Sequence, residues 1–254
     1  LEKQSGQKDI PVAVRSSGES EDLAGASFAG QYDTYLWVSG IESVFRHIRL
    51  CWASMFNETV LTYSRGKNTQ DPNTLEKICV GVQQMVDARS AGVMFTLDPL
   101  NGDKSKVIIE ACWGLGEGVV KGDINPTRFK LDKVTFEIIK KDVASQSAEY
   151  RFNHEQNNMD LLPIEQNRQN TPCISDAEAV SLATLAKQIE DHYNGSFQDI
   201  EWAISKNGDI NLLQARPETV WSQRTDKGLI SEPKSPVEHV LLRLSGVRIT
   251  KEQP

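Results

Sequence analysis

The stretch "DIEWAISKNGDINLLQARP", Asp199 to Pro217, constrains this chain more than any other. Asn207 and Gly208 lie between two apolar runs, and that dipeptide favours a two-residue hairpin loop because both residues tolerate positive φ. Such a loop sets Lys206 opposite Asp209 and, further out, Glu201 opposite Gln214 and Asp199 opposite Arg216. Side chains alternate along a strand, so these last four share one face. The other face then carries Ile200, Trp202, Ile204, Leu213 and Ala215, a set suited to a core. A carboxylate facing an amide oxygen, with a guanidinium one pleat away, can offer Mg²⁺ ligands beside a phosphate-binding cation. The same spacing fits a surface hairpin closed by a cross-strand Asp–Arg pair, and spacing alone leaves both readings standing.

Elsewhere the pattern is mixed α and β without repeats. "PVAVRSS" reads as a short strand. It runs into "GESEDLAGASFAGQYDTY", a Gly- and Ser-rich stretch with Arg15 the one basic side chain at its head. Ser39 with Glu42 has capping-box spacing. Ile41, Val44, Phe45, Ile48, Trp52, Met55 and Phe56 then recur at helical intervals, which predicts one buried helix face. "KICVGVQQMV" and "AGVMFTLDP" read as strands joined by "DARS", and "SKVIIEACW" as a third before the Gly-dense "GLGEGVVKGDINP". Residues 133–172 hold short strand-like pieces such as "VTFEIIKK" and suggest no chemistry. A second helix starts at Ser175, with Glu178 completing a capping box, and runs to about Tyr193 with Val180, Ala183, Ala186 and Ile189 inward.

Composition narrows the function classes. The chain has 254 residues and a net charge of −7, which argues against a nucleic-acid partner because phosphate-backbone binders carry a basic stripe. Any phosphate site must be local. Cys51, Cys79, Cys112 and Cys173 form no CxxC pair, which speaks against zinc and points to a reducing, cytoplasmic setting; the sequons at Asn57 and Asn194 are then accidental. The charged start "LEKQSGQKDI" and the lack of a long apolar run give no signal peptide and no membrane partner. No GxxxxGK[ST] occurs, and "GLGEGVV" lacks the GxGxxG spacing of dinucleotide folds. His47, His154, His192 and His239 stand apart from any GxSxG elbow and read as structural or solvated.

Taken in order, "VAVRSSGESEDLAGASFAGQYDTYL", "CWASMF", "VGVQQMV", "AGVMFTLDP", "GLGEGVVKGDINP" and "DIEWAI…LLQARPETV" resemble the nucleotide-binding part of the phosphoenolpyruvate synthase and pyruvate phosphate dikinase family. Rifampin phosphotransferases and phenylphosphate synthases share these signatures. The resemblance implies an α+β chain of the ATP-grasp fold over residues 9–220, lacking the fold's N-terminal subdomain with its phosphate-contacting Lys. Residues 221–254 would be a linker toward a phosphohistidine domain.

For the site, the resemblance implies ATP and Mg²⁺ as cofactors. Arg15 would contact the phosphates as a catalytic residue, with backbone N–H groups around Gly30 and the Thr34 hydroxyl. Gln83 would lie near the adenine, and the backbone of Met85 and Val86 would read the base edge. Glu201 and Gln214 would hold Mg²⁺, and Arg216 would be the catalytic Arg that stabilises charge on the phosphoryl group. Against this, Arg15 could pair with Glu19, Glu21 or Asp22, and Gln83 could cap a strand edge while Gln84 points the other way. The implied enzyme is an ATP-dependent phosphotransferase that phosphorylates a His on a swivelling domain for transfer to an acceptor-binding domain, with pyruvate the foremost acceptor. A phenol or an antibiotic hydroxyl are the alternatives. A reading of another class is a non-catalytic nucleotide-binding scaffold or sensor.

Overall fold

The structure is a computed structural model, and it describes residues 1–6, 8–18, 33–57, 77–153, 155–156 and 158–221. Gly30, the carboxylates Glu19, Glu21 and Asp22, and two of the four His residues, His154 and His239, lie outside the described residues. The chain divides into two units, Leu1–Thr219 and Val220–Pro254; every element below belongs to the first. The class is α+β, with three antiparallel sheets among the described residues.

The smaller sheet sets β1 (Val12–Gly18) between β2 (Thr34–Val38) and β3 (Ile78–Gln84). Alternation on β1 sends Val12 and Val14 into a core with Val38, Val44, Ile48 and Cys51, the last three from helix α2 (Ile41–Ala53), which follows the one-turn α1 (Glu2–Ser5) in the chain. Ala13 and Arg15 therefore face the other way. On β2 a register slip inserts one residue opposite β1, and Trp37 there has φ 59°. Its ring stacks on Phe152 at 5.3 Å between centroids.

Helix α2 departs from the sequence reading in two ways. Its N-cap is Gly40 at φ 81°, with no side-chain cap bond, because the Ser39 hydroxyl donates to the Asp9 carbonyl instead. The helix buries Val44, Ile48 and Cys51 on β1, while Ile41, Phe45, Trp52 and Phe56 are about half exposed or more. The expected apolar face is thus two adjoining stripes, of which one packs.

The larger sheet runs β11 (Ile210–Pro217), β10 (Gln198–Ser205), β4 (Ala88–Phe95), β5 (Lys106–Trp113), β6 (Thr127–Asp132), β7 (Ile138–Asp142). One of its faces carries Ile109, Phe129, Leu131, Ile200, Trp202 and Ile204, all fully buried against Ala179, Leu182, Ala183 and Ala186 of an amphipathic helix over Asp176–His192. Burial of each large side chain in such a layer contributes about 1.5–3 kcal/mol. Lys133 locks the layer at one end: its Nζ donates to Glu190 Oε2 at 2.8 Å and to the Thr96 carbonyl. Burial pushes the Lys133 pKa down, opposed by the Glu190 carboxylate.

The long helix starts as its sequence specifies. Ser175 Oγ accepts from the Glu178 N–H at 3.2 Å, and Glu178 Oε2 accepts from the Ser175 N–H at 2.8 Å. Ser175→Ala is expected to lower stability by about 1 kcal/mol; a denaturant midpoint shift of that size at unchanged slope checks it.

Two boundaries differ from expectation. Ala88, Arg89 and Ser90 of "DARS" are already inside β4, so only Met85–Asp87 separate β3 from β4, and the chain crosses between the two sheets there. In "VTFEIIKK" the strand begins only at Ile138, since Phe136 at φ 57° closes a turn. Residues 133–172 also hold a third, two-stranded sheet of β8 (Ala148–Asn153) and β9 (Asn158–Pro163).

Candidate active site

The second face of the large sheet and the Arg15 face of the small sheet enclose a cavity of about 440 Å³. Its walls are ordered by strand register. One rank across the large sheet reads Gln214, Glu201, Val93, Glu110, Arg128, and the next reads Arg216, Asp199, Phe95, Ile108, Lys130. Alternation puts both ranks on the cavity side, opposite the Trp202 face.

The pairings Glu201 with Gln214 and Asp199 with Arg216 are those the hairpin motif predicts, but by a different route. Ile204 pairs with Ile210 and Trp202 with Leu212, one step off the predicted register, because the loop holds Lys206, Asn207 and Gly208 instead of two residues. Gly208 takes φ 91°. A bulge at Leu213, between the Trp202 and Glu201 pairs, then restores the predicted alignment. The correction falls on Leu213: it packs with Ala203, Leu115 and Met85 on the cavity side, not in the core with Ile200.

Arg15 reaches across the cleft. Its Nη2 donates to Glu201 Oε2 at 2.9 Å and also to Gln214 Oε1. Beside them Arg216 donates Nε and Nη2 to Asp199 Oδ2 at 2.9 and 2.7 Å. Burial raises the Asp199 pKa, Arg216 pulls it down, and the nearby Glu201 charge adds to the rise. A buried ion pair of this kind stabilises little on balance, so its value lies in holding the guanidinium still. Thr34 sits opposite Arg15 across β1 and β2 and lines the cavity.

The remaining sequence-predicted residues that the structure describes, Gln83, Met85 and Val86, also line this cavity, with one narrowing. Gln83 faces inward beside Arg15, and its Nε2 donates to the Leu213 carbonyl at 3.1 Å. Met85 and Val86 form the end wall where the chain crosses between sheets. The Met85 N–H is committed to the Pro11 carbonyl at 2.9 Å, so a base edge would have to meet the Met85 carbonyl and the Val86 N–H.

Glu110 is the cavity residue that the sequence reading passed over. It stands in the Glu201 rank, held by Arg128 Nε at 2.9 Å. A lone carboxylate in the apolar run "VIIEAC" is the signal that could have found it. Leu36, Leu115, Val119 and Val120 supply apolar wall.

The donor set suits a hard cation. Glu201 offers a carboxylate oxygen and Gln214 an amide oxygen to one cavity, the kind of ligand Mg²⁺ takes. Asp199 and Glu110 are engaged by Arg216 and Arg128, and among the described residues no three His, Cys, Asp or Glu side chains gather into a metal cluster. A cationic group, the Arg15 guanidinium, already sits against the Glu201 and Gln214 oxygens.

A cleft between antiparallel sheets, with cations and carboxylates at one part and apolar side chains at another, has the make-up of a binding domain for an amphiphilic anion. The chain belongs to the family described as pyruvate phosphate dikinase, AMP/ATP-binding domain, whose sequence model matches residues 1–235. It is 41% identical over 222 residues to a probable phosphoenolpyruvate synthase of Methanothermobacter thermautotrophicus, covering 87% of this chain and 31% of that protein. It is 44% identical over 208 residues to the prodigiosin synthesizing transferase PigC of Serratia marcescens, covering 82% and 22%. It is 41% identical over 207 residues to a rifampicin phosphotransferase of Streptomyces sviceus, covering 82% and 23%. The chain thus spans less than a third of the length of these relatives. Among the described residues no helix is long and apolar enough to cross a membrane.

Proposed function

We propose that residues 9–220 form an ATP-grasp nucleotide-binding domain that takes Mg²⁺ and ATP in this cleft, as part of a phosphoenolpyruvate synthase-like phosphotransferase. The observation that carries the reading is the Arg15 guanidinium held against Glu201 and Gln214. These are the residues that the family resemblance gives to phosphate and metal. Glu201 and Gln214 would hold the metal, whose chemistry is to neutralise charge on the phosphates. Arg15, whose Nη2 donates to Glu201 and Gln214 here, would give its donors to phosphate oxygen when the nucleotide is bound. Arg216, kept in place by Asp199, faces charge developing on the transferred group. The apolar wall and the Met85–Val86 edge take the base.

On this reading the acceptor His belongs to another domain, and among the described residues neither His47 nor His192 lines the cavity. His47 is turned toward the Ser43 carbonyl at 2.8 Å, within its own helix. A swivelling phosphohistidine domain and an acceptor-binding domain are the proposed partners. The phosphoenolpyruvate synthase relatives make pyruvate the first acceptor to test, and the rifampicin phosphotransferases make an antibiotic hydroxyl the second.

Calorimetric titration with ATP, with and without Mg²⁺, tests the proposal on Glu201→Ala, Gln214→Ala and the double variant. Each single change is expected to cost about tenfold in metal-dependent affinity, and the double less than the sum, because ligands of one ion couple. Strict additivity would place the two on separate sites. ATP affinity indifferent to metal in the parent chain would favour a nucleotide-sensing scaffold.

A further inference from the structure

The Leu213 bulge decides where Gln214 points. Between the loop and the bulge, Trp202 pairs with Leu212 and Ala203 with Asn211. Carried on unchanged, that register would set Leu213 opposite Glu201 and Gln214 opposite Ile200. A one-residue slip exchanges the two faces of a strand, so the Gln214 amide would turn toward the buried layer. The extra residue at Leu213 prevents this. A bulged residue stands outside the ladder, and the Leu213 carbonyl instead accepts the Gln83 side-chain N–H at 3.1 Å. Gln83 lies on β3 opposite Ala13, on the face that Arg15 shares. The bond therefore crosses from the small sheet to the large one at the residue that sets the register.

We propose that Gln83 is a positioning residue for the metal-binding pair: by holding the bulged Leu213 peptide it keeps Gln214 beside Glu201. The proposal rests on the reading that Glu201 and Gln214 hold the metal, and it gives Gln83 a task distinct from reading the base. It also gives the side chain at this position a reason to carry a donor, since the partly buried Leu213 carbonyl has that donor as a partner.

The test separates metal placement from base recognition by using a ligand with no base. Parent, Gln83→Ala and Gln83→Met chains are titrated with magnesium tripolyphosphate, and with tripolyphosphate in chelator. Gln83→Met keeps about the same length, adds no charge and has no N–H to give. Both variants are expected to lose about tenfold in affinity for magnesium tripolyphosphate, the usual scale for groups that orient a metal ligand, with tripolyphosphate alone bound as in the parent. Parent-like binding of magnesium tripolyphosphate by both variants overturns the proposal, all the more if magnesium ATP is weakened, because Gln83 then reads the base. An equal loss with and without metal also overturns it, since a general loosening of the cleft acts on both ligands. A parent chain that binds neither magnesium tripolyphosphate nor magnesium ATP removes the nucleotide reading itself, and this proposal with it.

Discussion

Arg15→Ala is expected to weaken magnesium ATP binding by about 1.5–3 kcal/mol, the range for a hydrogen bond to a charged partner. A second signature follows from the partners that Arg15 has here. Its removal leaves the Glu201 carboxylate, only 26% exposed, without its cation and near Asp199. The ligand-free variant should therefore melt below the parent. Mg²⁺ should then restore stability, because a metal between Glu201 and Gln214 replaces the missing positive charge and binds only the folded chain. Metal-dependent stabilisation larger in Arg15→Ala than in the parent is the outcome expected from thermal melts across a Mg²⁺ series. Unchanged ATP affinity with a melting loss that Mg²⁺ does not repair would mean that the Arg15–Glu201 pair is a structural salt bridge.

The candidate site was legible where local rules act on neighbouring residues. The hairpin of Asp199 to Pro217 was readable because alternation and turn chemistry are short-range, and Ser175 with Glu178 because a capping box is complete within four positions. The sequence could not show that two departures cancel. Asn207–Gly208 suits a two-residue loop, yet the loop has three, and the Leu213 bulge compensates. Such a bulge is fixed by the Gln83 bond from another sheet, and no local pattern encodes a partner so far along the chain. Helix α2 shows the same limit. Periodicity marks Ile41, Phe45, Trp52 and Phe56 as apolar, but which stripe packs is decided by β1, which presents Val12 and Val14 to Val44 and Ile48.

Arg15 illustrates how far resemblance and geometry reach separately. From the residues, a lone cation heading a Gly-rich stretch fits a phosphate contact, with a nearby carboxylate, Glu19, Glu21 or Asp22, as the lesser alternative. The structure pairs it with a carboxylate, but one on the other sheet, together with the amide opposite that carboxylate. Glu110 was passed over for the converse reason, although its lone charge in an apolar run marks it. Its strand reads as core on both sides, and only its rank with Glu201 across Val93 brings it to the cleft.

Gly92→Ala should be the most damaging small substitution in this unit. A Cβ built at Gly92 would lie 1.9 Å from the Glu110 carbonyl oxygen and 2.9 Å from its carbon, so β4 and β5 would have to part. Backbone atoms of a central sheet cannot swing aside as a side-chain end can, which places the cost at or above the top of the usual overpacking range, about 3 kcal/mol. Gly92 pairs with Trp202 on one side and Ala111 on the other, and the next residues, Val93 and Glu110, belong to the Glu201 rank. Displacement there should therefore weaken magnesium ATP binding as well as stability. Gly208→Ala is the contrast. Gly208 has φ 91° but open space around its would-be Cβ, so the change carries only conformational strain, about 1 kcal/mol, at a hairpin tip away from the cavity. Denaturant unfolding of both variants, paired with titration of magnesium ATP, is the check. If Gly92→Ala unfolds at the parent's midpoint and binds as the parent does, then the close approach of β4 to β5 does not set the spacing of the carboxylate rank, and the placement of Glu110 in line with Glu201 across Val93 loses its structural cause.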